Sequence, residues 1–275
     1  MEAKIGCFTL AWRKYPFAEA LKSIKAAGFE YVGVWPEHED DAQLDLGAGA
    51  AAGKELAKVI ADAGLRPSVL FGRVCPLDDE AVAKFKVRID QAAELGVDEV
   101  LSIAPWPYSK GIDVKRPEDE WNEEVERFYG HLAPVAKHAE DVGMMIAYKP
   151  HTGLTATAAE CKELVERAAS PCVKISYDPG NVSFYEGVDP AADVPVIAAE
   201  TVSVCVKDHV GARGNPDFPN PGKGEVDFGS VFRTLNEHGF TGPATVEKLV
   251  GAELDELSAS AAECVEFLNG LIPAI

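Results

Sequence analysis

One unit recurs along this chain: an amphipathic helix, a glycine, and then a short strand of apolar residues. It is clearest in five segments, which are Ile24–Val34, Ile60–Leu70, Ala92–Ser102, His138–Tyr148 and Leu235–Val246. Each glycine falls where a helix ends in the left-handed conformation, which glycine adopts without steric penalty. These glycines are Gly28, Gly64, Gly96, Gly143 and Gly239. The repetition predicts parallel strands that are joined by helices.

Eight such strands and eight helices fit into the 275 residues. The predicted strands are Lys4–Phe8, Tyr31–Val34, Pro67–Leu70, Glu99–Ile103, Met144–Lys149, Val173–Asp178, Val202–Lys207 and Ala244–Glu247. The predicted helices are Phe17–Ala27, Lys54–Ala63, Asp79–Leu95, Glu120–Val142, Ala158–Ala168, Ala191–Ala199, Phe228–His238 and Glu253–Leu271. A (β/α)₈ barrel typically takes about 250 residues, and the glycine fingerprint of a dinucleotide-binding open sheet is absent. We therefore predict an α/β protein, a single (β/α)8 TIM barrel over residues 1–275.

Charge and composition exclude several classes of partner. The 26 Lys and Arg against 45 Asp and Glu give a formal net charge of −19, which disfavours nucleic-acid binding because phosphate backbones are repelled. No stretch approaches the ~18 apolar residues of a membrane-spanning helix, so no membrane partner is expected. The six cysteines are scattered without a CxxC pair. They are typical of reduced thiols, and they favour a cytoplasmic protein.

Ionisable side chains end four of the later predicted strands. They are Lys149, Asp178, Lys207 and Glu247. Since successive strand residues face opposite ways, the small and polar face of these strands is predicted to point into the barrel. The four charges would then meet at the C-terminal rim, where barrel enzymes have their active sites. Charges buried there must be paired, or must bind a metal or a substrate.

Four motifs in the second half resemble one known family. They are the run Tyr177–Asn181, the pair Lys207–Asp208, the segment Pro221–Phe228, and Glu247 after Gly239–Pro243. In this order, and in this barrel register, the chain is similar to the xylose-isomerase-like sugar isomerase/epimerase superfamily over essentially its whole length. The resemblance implies a TIM barrel that acts on a small carbohydrate, and it leaves a homo-oligomer open.

The resemblance also implies a metal site, from which this sequence departs. The family commonly holds one divalent cation with Glu, Asp, His and Glu from strands five to eight. Asp178 and Glu247 match two of these ligands, whereas Lys149 and Cys205 stand at the other two positions. One alternative is a divalent ion (Mn, Mg, Zn or Co) on Asp178 and Glu247. The other is a metal-free site with Lys149 in the place of the ion, since an ammonium group cannot ligate a cation.

The candidate catalytic residues are Lys149, Glu247, His151 and Asp178. A fixed Lys149 ammonium could stabilise a developing enediolate oxygen, and a Lys149 with a lowered pKa could act as an acid, a base or a Schiff-base former. Either Glu247 or His151 would transfer the proton of the carbon atom adjacent to the carbonyl group. A purely structural cluster of ion pairs is the competing interpretation.

Further residues near the rim are candidates for substrate binding. Aromatic side chains stack on the apolar faces of sugars, and cations bind anionic substituents. The candidates are Trp12, Trp35, His38, Trp106, Lys207, Asp208, His209 and Arg213.

The leading functional prediction is a sugar or keto-sugar isomerase or epimerase that transfers a proton next to a carbonyl. A lyase or dehydratase would use the same first step, and a non-catalytic sugar-binding barrel would keep the pocket without the metal. Multi-metal nucleases of this fold need a His-rich site, and this chain has only six His with a net charge of −19. The sequence therefore disfavours a nuclease.

Overall fold

Eight parallel strands close into a barrel in a computed structural model that describes residues 3–39 and 43–272. The strands are β1 (Lys4–Phe8), β2 (Tyr31–Val34), β3 (Arg66–Phe71), β4 (Glu99–Ser102), β5 (Met145–Tyr148), β6 (Val173–Tyr177), β7 (Thr201–Val206) and β8 (Pro243–Val246). Each strand pairs with its neighbours in chain order, and β8 pairs with β1 through Cys7 opposite Val246. The predicted TIM barrel is confirmed.

Helices alternate with these strands around the barrel. They are α1 (Phe17–Ala27), α2 (Ala51–Asp62), α3 (Asp79–Leu95), α4 (Glu118–Val142), α5 (Ala158–Ala168), α6 (Pro179–Glu186), α7 (Pro190–Asp193), α8 (Phe228–Glu237) and α9 (Leu254–Leu271). The predicted helix-ending glycines adopt positive φ, for example 104° at Gly28 and 84° at Gly96. In the part of the chain that the structure describes, no helix is both long enough and apolar enough to cross a membrane.

Two local predictions differ from the structure. The helix predicted over Ala191–Ala199 is wrong, because only α7 is α-helical there and two 3₁₀ turns follow it. Pro195 lies in that segment and has no N–H to donate to the preceding turn, which ends the α-helix. The short helix α6, which follows β6 directly, was not predicted.

The apolar core has two parts. A large cluster joins the outward-facing strand residues to the helices, and a small cluster of Phe8, Val69, Phe71, Leu101 and Cys205 lies apart from it. Polar residues of β6 and β7 contact each other between neighbouring strands, since Ser203 Oγ donates to Ser176 Oγ at 2.7 Å. This contact agrees with the predicted small and polar inner face of these two strands.

Candidate active site

Four charged side chains meet where β5 to β8 end. The ammonium nitrogen of Lys149 lies 2.9 Å from Asp178 Oδ2 and also contacts Glu247 Oε2. Lys207 Nζ lies 3.3 Å from Asp178 Oδ2 and 3.2 Å from Glu247 Oε1. The structure thus brings together the four charges that the strand register predicts at the rim, as two ammonium groups between two carboxylates.

Helix α6 holds one side of this cluster in place. Asp178 caps the helix, because its Oδ1 accepts the backbone N–H of Asn181 at 2.9 Å. The Asn181 side chain accepts from Lys207 Nζ at 2.9 Å and donates to the carbonyl of Pro150 at 2.7 Å. A β-carbon at Gly180 would lie 2.6 Å from the carbonyl oxygen of Lys207, so this close approach requires glycine. The run from Asp178 to Asn181 therefore positions both Lys207 and a carboxylate.

The two lysines use their hydrogen-bond donors differently. An ammonium group has three donors. Lys207 donates to Asn181 and forms ion pairs with Asp178 and Glu247. Lys149 donates to Glu247 and forms an ion pair with Asp178, and its Nζ lies 6.0 Å from the centre of the Phe71 ring. Lys149 is 2 % exposed and lines the cavity at the mouth of the barrel. Among the described residues, Lys149 Nζ has no third oxygen or nitrogen partner, so it can donate one hydrogen bond to a molecule in that cavity.

The charges in this cluster stabilise each other. Burial alone would lower the pKa of Lys149, but the carboxylates of Asp178 and Glu247 outweigh it and hold that pKa well above its usual value. Burial alone would raise the pKa of Glu247, but Lys149 and Lys207 outweigh it and hold that pKa well below its usual range. The lowered pKa that a nucleophilic or acid–base Lys149 requires is not found. Lys149 stays a fixed positive charge.

Three potential metal-ligating atoms lie close together here. Oxygen atoms of Asp178 and Glu247 and the Cys205 sulfur all lie within 4.8 Å of one another. However, the Lys149 ammonium already contacts both carboxylates, and a divalent cation beside it would be repelled. Burial raises the pKa of Cys205, so its sulfur stays a thiol, which is a poor ligand. These residues do not fit a divalent ion while Lys149 occupies its present position.

A cavity of about 570 Å³ opens above the cluster. Aromatic side chains form much of its wall, and among them are Trp35, Phe71, Tyr185 and Phe218. His151 also lines it; burial first, and then Lys149 and Lys207, lower the pKa of His151 to about 3. The imidazole is therefore neutral, with Nε2 3.1 Å from the Tyr185 hydroxyl and no hydrogen-bond partner for Nδ1 among the described residues.

Three aromatic candidates lie behind or beside this wall. Trp12 is fully buried in the large apolar cluster. Trp106 packs against His151 with ring centroids 4.4 Å apart, so it supports that imidazole without lining the cavity. His38 is 8 % exposed, and its Nδ1 lies 3.0 Å from the carbonyl of Tyr15. Of the aromatic and imidazole candidates for substrate binding, Trp35 lines the cavity, and the catalytic candidate His151 lines it as well.

Three polar candidates hold loops in place. The carboxylate of Asp208 is fully buried and accepts four backbone N–H groups, from His209, Gly222, Gly224 and Val226. Both ring nitrogens of His209 have partners, since Nδ1 lies 2.8 Å from Ser183 Oγ and Nε2 lies 2.9 Å from the Asn215 carbonyl. Arg213 donates to the carbonyls of Tyr185 and Ile112. Their polar groups have partners within the protein, and their contacts with substrate stay predictions.

Sequence reasoning did not select three residues that belong to this site. Asn181 is part of the recognised motif, and its position three residues after Asp178 is the signal for the helix cap. Arg73 lines the cavity from a left-handed backbone with φ 53°, and its guanidinium lies 4.7 Å from the centre of the Trp35 ring. Lys248 lines the cavity directly after Glu247, where strict strand alternation would turn it outward.

The profile of the xylose isomerase-like TIM barrel family matches residues 21–268. The chain belongs to this family. A comparison with curated protein sequences found no match.

Several solved structures share the fold of this xylose isomerase-like barrel. A xylose isomerase domain protein from Planctomyces limnophilus is 20 % identical, with a TM-score of 0.78 and coverage of 100 % of this chain and 99 % of the other. A 3-keto-D-glucoside 4-epimerase from E. coli is 16 % identical, with a TM-score of 0.76 and coverage of 98 % and 100 %. A D-tagatose 3-epimerase-like protein is 18 % identical, with a TM-score of 0.75 and coverage of 98 % and 97 %. At these identities the likeness establishes the fold.

Proposed function

We propose that this protein is an isomerase or epimerase of a small sugar or keto-sugar, acting by proton transfer next to a carbonyl group. One observation carries the proposal: Lys149 lies charged on the cavity wall, and one of its N–H donors has no acceptor in the described part of the chain. The family and the names of similar structures, among them a 3-keto-D-glucoside 4-epimerase and a D-tagatose 3-epimerase-like protein, support carbohydrate chemistry.

The reaction follows from where charge develops. A substrate carbonyl oxygen would accept the free N–H of Lys149. When the neighbouring C–H bond breaks, its electron pair moves through the new C=C bond to the carbonyl oxygen, which becomes an enediolate oxyanion. The fixed ammonium stabilises that oxygen. The proton passes to Glu247 or to neutral His151, which both line the cavity.

The fate of the proton decides the product. Its return to the same carbon from the opposite face gives the epimer, and its delivery to the former carbonyl carbon gives the isomeric aldose or ketose. Loss of a hydroxyl group from the next carbon would instead make the enzyme a lyase. Glu247 and His151 both line the cavity, so one of them can take the proton and the other can return it.

A metal-free reaction is part of this proposal. Lys149 provides the positive charge at the position where the family commonly has a divalent ion, and Asp178 and Glu247 neutralise it. Because all six cysteines are free and five are buried, we further propose that the protein works in a reducing compartment such as the cytoplasm.

Solvent exchange in deuterated water tests the proposal. Protein treated with a chelator, with its metal content checked by elemental analysis, is incubated with D-fructose, D-tagatose and other ketoses. Proton NMR then follows deuterium uptake next to the carbonyl. We expect exchange that survives chelation and falls by about 10³-fold in Lys149→Met, as for loss of an oxyanion-stabilising donor. Lys58→Met, an exposed lysine on α2, is the matched control.

Three outcomes would contradict parts of the proposal. Exchange that requires an added divalent ion would restore the ordinary metal mechanism of the family. Loss of a carbinol C–H signal together with the signals of a dehydrated product would identify a lyase. Saturable binding without exchange or turnover would identify a sugar-binding barrel. Glu247→Gln, which keeps an oxygen toward Lys207 but removes a base, separates loss of chemistry from loss of folding.

A further inference from the structure

The cavity has a cationic end beside β8. Lys248 Nζ lies 5.5 Å from the centre of the Phe218 ring, and Lys207 Nζ lies 5.7 Å from the same centre. The two ammonium groups therefore share one aromatic ring on the cavity wall. Lys207 is neutralised by the carboxylates of the cluster, but Lys248 forms no ion pair with a carboxylate among residues 3–39 and 43–272.

A second cavity continues from this end. It has a volume of about 390 Å³ and shares Leu10, Lys207, Glu247 and Lys248 with the larger one. Its outer wall adds two more cations, Arg13 and Lys14. Neither of them pairs with a carboxylate within the described ranges either. The space above the reactive cluster thus extends into a pocket with three uncompensated positive charges.

These charges act on each other. Burial, and then the positive charge of Lys207, lower the pKa of Lys248, and Arg13 lowers it further. Glu247 opposes this effect, but it is already shared by two ammonium groups. In a chain with a net charge of −19, a pocket that concentrates positive charge next to the active site is well placed to attract an anion.

We propose that the substrate carries an anionic group, a carboxylate or a phosphate, which binds to Lys248 with Arg13 and Lys14 at the outer edge of the pocket. This inference rests on the proposed function, because it names the class of substrate for the same site. Lysine suits the role, since its ammonium is a compact charge that pairs with either kind of anion. The carbonyl end would lie at Lys149, and the anionic end would lie toward α9 and the loop after β1.

Calorimetric titration with three ketoses of similar skeleton tests the inference: D-fructose, D-fructose 6-phosphate and 5-keto-D-gluconate. We expect at least one anionic compound to bind about 10-fold more tightly than D-fructose, as for a hydrogen bond to a charged group. The phosphate and carboxylate arms show which anion is preferred. Lys248→Met should remove this advantage, so that the anionic ketoses bind this variant no more tightly than D-fructose does, whereas Lys58→Met should retain it.

The inference is overturned if neither anionic ketose binds better than D-fructose, or if Lys248→Met weakens all three compounds equally. Because Lys248 is exposed at the rim, both variants should fold, which circular dichroism checks. Deuterium exchange with the same compounds separates the two proposals. Anion-selective binding without exchange would contradict only the proposed function, and exchange that is best on D-fructose would contradict only the anionic substrate.

Discussion

The two ends of the barrel interior hold buried carboxylates in opposite ways. At the C-terminal rim, Asp178 and Glu247 are each contacted by two ammonium groups. Toward the N-terminal end, Glu99 is 1 % exposed, and neither of its carboxyl oxygens has a hydrogen-bond partner among the described residues. The hydroxyls of Ser68 and Thr245 are likewise buried, with no hydrogen-bond partner among the described residues.

The pKa values of the two glutamates show what the difference means. Burial raises the pKa of Glu99 to about 7, and the nearby Ser203 hydroxyl opposes this only in part. Burial acts on Glu247 in the same direction, yet Lys149 and Lys207 leave its pKa well below the usual range. Glu247 is therefore ionised at neutral pH, while Glu99 is largely protonated below pH 7. At Glu247 the fixed ammonium groups outweigh burial, whereas at Asp178 burial outweighs Lys149 and Lys207 and raises the pKa of that carboxyl above its usual value.

Breaking the ion pairs at the C-terminal rim should have the largest effect on stability. Lys149→Met leaves two buried carboxylates with only Lys207 as a counter-charge, and loss of one partner of a buried ion pair typically lowers the free energy of unfolding by about 3–5 kcal/mol. Urea denaturation at pH 7 measures this loss. Adding Asp178→Asn should recover part of it, because the amide removes the excess charge and keeps the oxygen that caps α6.

The double variant makes this first prediction falsifiable. If Lys149→Met/Asp178→Asn is less stable than Lys149→Met by the full effect of Asp178→Asn alone, the two charges do not interact, and the cluster is not the coupled unit described above.

Neutralising Glu99, toward the N-terminal end of the barrel, should have the next largest effect. This change should raise the free energy of unfolding. The folded-state pKa of Glu99 is raised from 4.5 to about 7, so the unfolded state ionises first as the pH rises, and stability falls between these values. At about 1.4 kcal/mol per pKa unit, the loss is about 3 kcal/mol. Glu99→Gln should therefore match the wild type at pH 4 and exceed its free energy of unfolding by about 3 kcal/mol at pH 8.

The measurement is a series of urea transitions from pH 4 to pH 8 on both proteins. Because other groups titrate in both, only the difference between the two curves counts. A difference that stays constant over this range would mean that Glu99 is ionised in the folded protein throughout, like Glu247.

Removing the hydrogen bonds of Asn181, which hold Lys207 at the rim, should have a smaller effect. Asn181→Ala deletes the acceptor for Lys207 and the donor to Pro150, both in a residue that is 3 % exposed. Loss of such buried hydrogen bonds typically lowers the free energy of unfolding by about 2 kcal/mol. Asn122→Ala, at an exposed position of α4, is the matched control. Equal transitions for the two variants would show that Asn181 does not support the cluster.

The sequence was sufficient to predict the barrel and the meeting of the rim charges. Helix-ending glycines and short apolar strands repeat locally, and parallel strands end at one edge, so Lys149, Asp178, Lys207 and Glu247 had to approach one another. The raised pKa of Lys149 could not be predicted from the sequence, because it depends on the distances from its ammonium group to two carboxylates on other strands.

Residues that depend on loop conformation or on a missing partner could not be predicted. Arg73 lines the cavity because its backbone is left-handed, and no local sequence motif predicts that conformation. Asp208 looks like a rim acid, but loops that return to it from Gly222 to Val226 satisfy its carboxylate. Glu99 opens an ordinary predicted strand, and only the absence of a partner in the described structure sets it apart.

The smallest predicted effect concerns Ser203, which is close enough to Glu99 to influence its pKa. Ser203 Oγ donates to Ser176 Oγ, which keeps the Cys205 sulfur as a neighbour at 3.6 Å, so Ser203→Ala should lower the free energy of unfolding by only about 1 kcal/mol at pH 5. Ser203 also lowers the pKa of Glu99, so its removal should raise that pKa further and make the loss larger at pH 8 than at pH 5. In a Glu99→Gln background this pH dependence should vanish, because no carboxylate is left to ionise. A loss that is equal at both pH values in the wild-type background would mean that Ser203 and Glu99 are not coupled.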